Sequence, residues 1–302
     1  MSTSSSSEGF RDVREQGAFT LSELIVVMAV IGLLAALLVP AHSASRTKAQ
    51  GVRCMDNLKQ MMNGMAMYTH DYHDLFPPNP DDGTALAGYT WCGGQAGIGG
   101  GAEFNPDILA SPTRCLIVPY IATNVTLFRC TADARMGRYQ GSDPSKIGTT
   151  VTAARTISLS QAVGTIDPGF LASGGHSGVP NLPTTGPWLS GTHTSAYYTQ
   201  WRTYGKISQM VVPGPSQLAI IMEEDPWSLN DGSYAVSTGQ AEWIDYPSTL
   251  HNMGCVFSFG DGHAEFHKWR TLPKLTGPAY GRYPQPTDSD WNWVAARTSA
   301  LR

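Results

Sequence analysis

Apolar and polar positions along the chain fall into three regimes. Residues 1–17, MSTSSSSEGFRDVREQG, mix serines and charges with few apolar side chains and cannot bury enough surface to fold alone. From Phe19 to Val39 the sequence reads FTLSELIVVMAVIGLLAALLV, uninterrupted by polar residues from Leu24 onward. As a helix this stretch spans about 31 Å at ~1.5 Å per residue, the thickness of a bilayer core. It therefore predicts a transmembrane helix, with a buried core helix or a signal-peptide hydrophobic region as the other readings that such a run allows. Glu23 stands near its start, and a carboxylate there needs either headgroup-level water or a cationic partner.

Beyond Pro40 a helical period resumes. Leu58, Met61, Met65, Tyr68 and Tyr72 recur at alternating spacings of three and four and form one apolar stripe, which Phe76-Pro77-Pro78 stops. Pro40 and Gly51 predict a kink or local melting between the two helical stretches. Strand-like runs follow at Cys115–Ile121, Val125–Cys130, Thr156–Leu159, Ile207–Val212, Leu218–Met222 and Val256–Phe259. Few helical patterns separate them, so antiparallel pairing is expected. Asp261-Gly262, between Phe259 and Ala264, predicts a two-residue type I′ hairpin turn.

Composition sharpens this division. Gly and Pro number 32 and 20, which favours a turn-rich head over a helical bundle. With 20 basic and 24 acidic residues the net charge is −4, so no positive field is available for nucleic acid. Expected, then, are a leader at 1–18, an assembly helix at 19–40, an amphipathic stem at 41–76 and a β-rich head at 79–302, with a long insertion at about 165–205. Five cysteines leave at least one unpaired, and the loop between two expected strands makes Cys115–Cys130 the preferred bridge, with Cys92 as competitor.

The stretch Gly17-Ala18-Phe19-Thr20-Leu21-Ser22-Glu23-Leu24 resembles the processing site of type IV pilins and type II secretion pseudopilins. The resemblance implies cleavage by a prepilin peptidase between Ala18 and Phe19, N-methylation of Phe19, and Glu23 at the fifth mature position, pairing with the new amine of a neighbouring subunit. Ala18 stands where that family usually has Gly, which here is Gly17. His251 followed after nine residues by Asp261-Gly262 resembles the H-x9-DG pattern of large pilin-like proteins of planctomycete and verrucomicrobial type. Phe128-Arg129-Cys130-Thr131-Ala132-Asp133 resembles their Phe-x-Cys-Pro-x-Asp turn, with Thr131 in place of Pro. The implied fold is α+β and pilin-like: a long hydrophobic N-terminal helix continuing into a head built on an antiparallel sheet. The implied partners are a prepilin peptidase and methylase, sister subunits and the inner membrane, with the head periplasmic and later part of a periplasmic or extracellular filament.

Glu224, Asp231, His251, Asp261 and His263 can also be read as one polar site for Ca2+ or another divalent metal, whereas Asp231-Gly232 and Asp261-Gly262 equally suit plain turns. Carboxylates favour calcium; the two imidazoles favour a transition metal or zinc. Two further functions stay open beside the structural, non-enzymatic one. A tethered metal-dependent hydrolase would use Glu224, His251 and Asp261, and a glycan-binding adhesin would use the aromatic residues of 188–204.

Overall fold

The computed structural model describes residues 20–80, 88–166, 182–193, 200–279, 283–284 and 288–302; the side chains of residues 35, 37–44, 182, 283 and 284 fall outside that description. The leader, Gly17, Ala18, Phe19 and much of the 165–205 insertion therefore lie outside the described residues. Two compact units divide the chain, one ending at Arg46 and one running from Thr47 to Arg302. Helix α1, Leu21–Asp71, contributes to both and stays helical through Pro40 and Gly51, without the local melting that was one of the two expectations there. It ends before the expected limit of 76, because His73 and Asp74 adopt positive φ of 57° and 73° and turn the chain ahead of the prolines.

In the second unit the head is organised on a mixed five-stranded sheet. Its strands are β1 (Ile157–Ser160), β2 (Ala219–Glu223), β3 (Ser233–Tyr234), β4 (Gly254–Phe259) and β5 (Ala264–Lys268). The order is β5-β4-β2-β1-β3, with three antiparallel pairs and one parallel pair, β1 with β3. The parallel pair departs from the expected all-antiparallel sheet. The runs at 115–121, 125–130 and 207–212 are not strands; they contain short 3-10 helices at Val118–Ile121, Val125–Phe128 and Ile207–Gln209. Pro119 near the start of the first and an Asn124 side chain capping the second supply turn chemistry that overrides their β-branched content.

Both faces of the sheet are covered. On one, Leu58, Met61, Met65 and Tyr68 of α1 join Ile157, Leu159, Ile221 and Val256 in a common core. On the other, Met222, Cys255, Phe257 and Phe259 pack with Trp243, Trp269 and Val294. A register shift between Ala219 and Ile221 lets Ile220 and Ile221 both join the α1 side while Ala219 and Met222 join the second core. Cys255 is a buried apolar filler on β4, as expected from its place in a strand.

A C-terminal helix, α2 (Ser289–Thr298), was not read from the sequence. Asp288 caps it by accepting from the amides of Asp290 and Trp291. Asp290 locks the helix to the preceding loop by accepting the amides of Arg270, Thr271 and Leu272 at 2.7, 2.7 and 3.0 Å. Burial alone would raise the Asp290 carboxyl, but these amides outweigh it and hold the group below its ordinary value.

Two outcomes are expected from unfolding titrations of the full chain in detergent. Leu58→Ala should lower head stability by about 2–5 kcal/mol, whereas Leu24→Ala, at an exposed position of the first unit, should change it by no more than ~0.5 kcal/mol. Because the folded Asp290 carboxyl is depressed, its contribution is present above the unfolded value and lost as pH falls through the folded one. Asp290→Asn should therefore destabilise the head at pH ~7, and the gap to the wild type should close as pH falls below ~4.

Candidate functional site

The first turn of α1 is a reciprocal cap. Glu23 Oε2 accepts the Thr20 amide at 2.9 Å and the Thr20 hydroxyl at 2.7 Å, while the Glu23 amide donates to Thr20 Oγ1 at 3.3 Å. This gives Glu23 a local role in starting the helix besides the pairing implied by the processing motif. The apolar side chains that follow are exposed along the first unit, among them Leu21 at 74%, Ile25 at 59% and Leu33 at 66%. Among the described residues no helix is long and apolar enough to cross a membrane, and the apolar run continues in sequence into residues 37–39, whose side chains are not described. A contiguous exposed apolar strip of this kind is unfavourable in water.

The polar residues singled out in the head do not form one site. Glu224 is buried, accepts from the Ser158 hydroxyl at 2.5 Å and the Ser228 hydroxyl at 3.0 Å, and burial pushes its carboxyl up to about 8. Asp231 serves a turn: its carboxylate accepts the Ser233 amide at 2.6 Å and its carbonyl accepts from Arg155 at 2.6 Å. The fully buried Arg155 also donates to the carbonyls of Gly94 and Ile157, so this region is a structural clasp. Asp261 and His263 form an exposed pair, Oδ1 to Nδ1 at 2.5 Å, in the β4–β5 hairpin. That hairpin has a three-residue loop, Gly260 to Gly262, with positive φ only at Gly262, rather than the expected type I′ turn. The catalytic grouping of Glu224, His251 and Asp261 is thus not assembled.

His251 instead meets partners that the sequence reading left apart. Its Nε2 lies 3.1 Å from Glu223 Oε1 and 3.2 Å from Cys130 Sγ, and Cys130 Sγ is 3.6 Å from Cys54 Sγ. These four ligand atoms all lie within 4.8 Å of one another. Each residue comes from a different element: Cys54 from α1, Cys130 from the turn after the 125–128 helix, Glu223 from the end of β2, and His251 from the turn before β4, where Asn252 and Met253 have positive φ. The Cys115–Cys130 bridge is not formed; all five cysteines are free thiols, and Cys130 faces Cys54. Burial would lower the His251 imidazole, yet its bonds to Cys54 and Glu223 raise it above the ordinary histidine value; contact with Cys130 draws the Cys54 thiol down. Such a thiolate, imidazole and carboxylate would suit a nucleophilic enzyme were they reachable. Exposures of 2% or less at all four positions close the group off from solvent.

Two of these residues had a readable signal. Cys54 lies four residues before Leu58, in phase with the buried stripe of α1. Glu223 lies two residues after Ile221, on the α1 side of β2, whereas Glu224 follows in the opposite parity. The aromatic residues proposed as a stacking platform are partly committed to packing: Tyr204 is buried in the core and Trp201 packs against it, while residues 194–199 lie outside the described residues.

The family described as the prokaryotic N-terminal methylation motif matches residues 13–39, a span that contains Gly17, Ala18, Phe19 and Glu23. Type II secretion system core protein G of Escherichia coli strain K12 is 35% identical over 63 residues, which are 21% of this chain and 43% of that protein. The chain thus spans less than half the length of that curated relative. No solved structure matches it. The motif over residues 13–39 and this relative point in the same direction, to proteins of the prepilin and pseudopilin kind.

With Asp261 confined to an exposed turn, Asp261→Asn should change the unfolding free energy by no more than ~0.5 kcal/mol. Calcium should leave the melting midpoints of both proteins unchanged. A calcium-dependent rise in the wild type that the variant loses would instead put a cation at this turn.

Proposed function

We propose that the chain is a structural subunit of a type IV pilus-like or type II secretion pseudopilus filament. The observation that carries this reading is the methylation motif over residues 13–39, set at the start of a helix whose apolar side chains are exposed. In this reading a prepilin peptidase cuts between Ala18 and Phe19, Phe19 is methylated, and the subunit waits in the inner membrane with its head in the periplasm.

The mechanism is packing rather than catalysis. A helix as apolar as lipid tails gains no hydrophobic energy by leaving the bilayer for a fibre, so close packing and polar pairing decide where it settles. Glu23 supplies the polar element. In the single chain its carboxylate is satisfied by Thr20; between apolar helices it needs a stronger partner, which the amine of Phe19 on a neighbouring subunit provides. The pairing sets subunit register, because only one axial offset brings the two charges together. The H-x9-DG segment fits this role as part of the head's fold.

N-terminal sequencing and intact mass of the protein recovered from its native membrane are expected to show a chain that begins at methylated Phe19. Retention of Met1, or a cut near Ala44, would overturn the reading. Glu23→Val should leave the protein in the membrane fraction and strongly reduce its recovery in sheared, sedimentable filaments.

A further inference from the structure

We infer that Cys54, Cys130, Glu223 and His251 are the four ligands of a structural zinc site that joins the stem part of α1 to the head.

The first support is geometric. Tetrahedral zinc with Zn–S bonds near 2.3 Å and Zn–N or Zn–O bonds near 2.0–2.1 Å holds two sulfurs about 3.8 Å apart, a sulfur and a nitrogen about 3.5 Å apart, and a nitrogen and an oxygen about 3.4 Å apart. The corresponding separations are 3.6 Å between the sulfurs, 3.2 Å from Cys130 Sγ to His251 Nε2 and 3.1 Å from that nitrogen to Glu223 Oε1. Expansion by a few tenths of an ångström opens the group around one ion.

The second support lies around the ligands. The Thr131 amide donates to Cys54 Sγ and the Ala132 amide to Cys130 Sγ, both at 3.3 Å. Backbone donors aimed at both sulfurs favour thiolates over thiols and orient their remaining lone pairs. Glu223 Oε2 accepts the Val256 amide at 3.0 Å, which turns Oε1 toward the cluster. The outer-shell bonds that a metal ligand needs are therefore present at three of the four positions. His251 Nδ1 is buried without a hydrogen-bond partner among the described residues, so the ring's contacts are made through the nitrogen that faces the cluster.

The donor set selects the metal. Calcium takes six to eight oxygens, which two sulfurs and a nitrogen exclude. Two thiolates with imidazole and carboxylate in tetrahedral array suit zinc, and full burial gives the closed coordination of a structural rather than a catalytic site. Two thiolates and a carboxylate taken from water carry three negative charges, and a divalent cation removes most of that burden.

The test uses the full chain, expressed in zinc-supplemented medium and purified in detergent without chelator. Metal analysis and native mass spectrometry are expected to find one zinc per chain, and replacement by Co2+ should give the intense visible bands and thiolate charge-transfer absorption of a tetrahedral sulfur-ligated ion. Cys54→Ser and His251→Ala should lose the metal, and His263→Ala, at the exposed hairpin, should keep it. If a ligand variant fails to fold, the wild-type stoichiometry and cobalt spectrum still decide. A folded wild-type chain without metal, a mass two hydrogens light from a Cys54–Cys130 disulfide, or a cobalt spectrum lacking thiolate charge transfer would overturn the assignment.

Discussion

A sheet whose middle strands are apolar on both faces cannot stand in water, and the Thr47–Asp71 part of α1 is what closes one of those faces. Leu58, Met61, Met65 and Tyr68 lie over Ile157, Leu159, Ile221 and Val256, while the Trp243, Trp269 and Val294 layer takes the opposite side. Every residue of β4 is buried as a result. The helix is thus a wall of the head's core.

The buried polar groups follow from the same packing. Arg155 ties the 94 and 231 loops to β1, Asp290 ties α2 to the loop after β5, and the Cys54, Cys130, Glu223 and His251 group lies where α1 crosses the ends of β2 and β4. Each sits where segments distant in sequence must be brought together without covalent links, the cysteines being free.

What could be read from the sequence follows the length scale of the interactions. The α1 stripe and the cores of β1, β2 and β4 were legible because local period determines them, and Asp261-Gly262 marked the place of the hairpin but not its three-residue loop. The 118–121 and 125–128 segments were misread because their β-branched residues suggest strands, while the cap and proline that bend them act through single atoms. Helix α2 was missed because its apolar face is spread thinly over Trp291, Val294 and Ala295 amid polar residues, and its docking depends on Asp290 meeting amides about twenty residues earlier. For the candidate site, His251 and Cys130 were singled out separately, Cys130 for a disulfide with Cys115, and neither was joined to Cys54 or Glu223. Cys54, Cys130 and Glu223 converge on it only through tertiary structure, and choosing Glu223 over Glu224 requires knowing which face of β2 lies under the helix.

The separation of those four residues along the chain has a kinetic side. Ligands drawn from α1, the 130 turn, β2 and the turn before β4 cannot leave an ion one at a time while the core between them stays packed, since each is held by a different buried element. A zinc held there would exchange with solvent only as fast as α1 lifts from the sheet. Its dissociation rate would then be a clock for the opening of the head, set by the unfolding barrier and not by the affinity of the site.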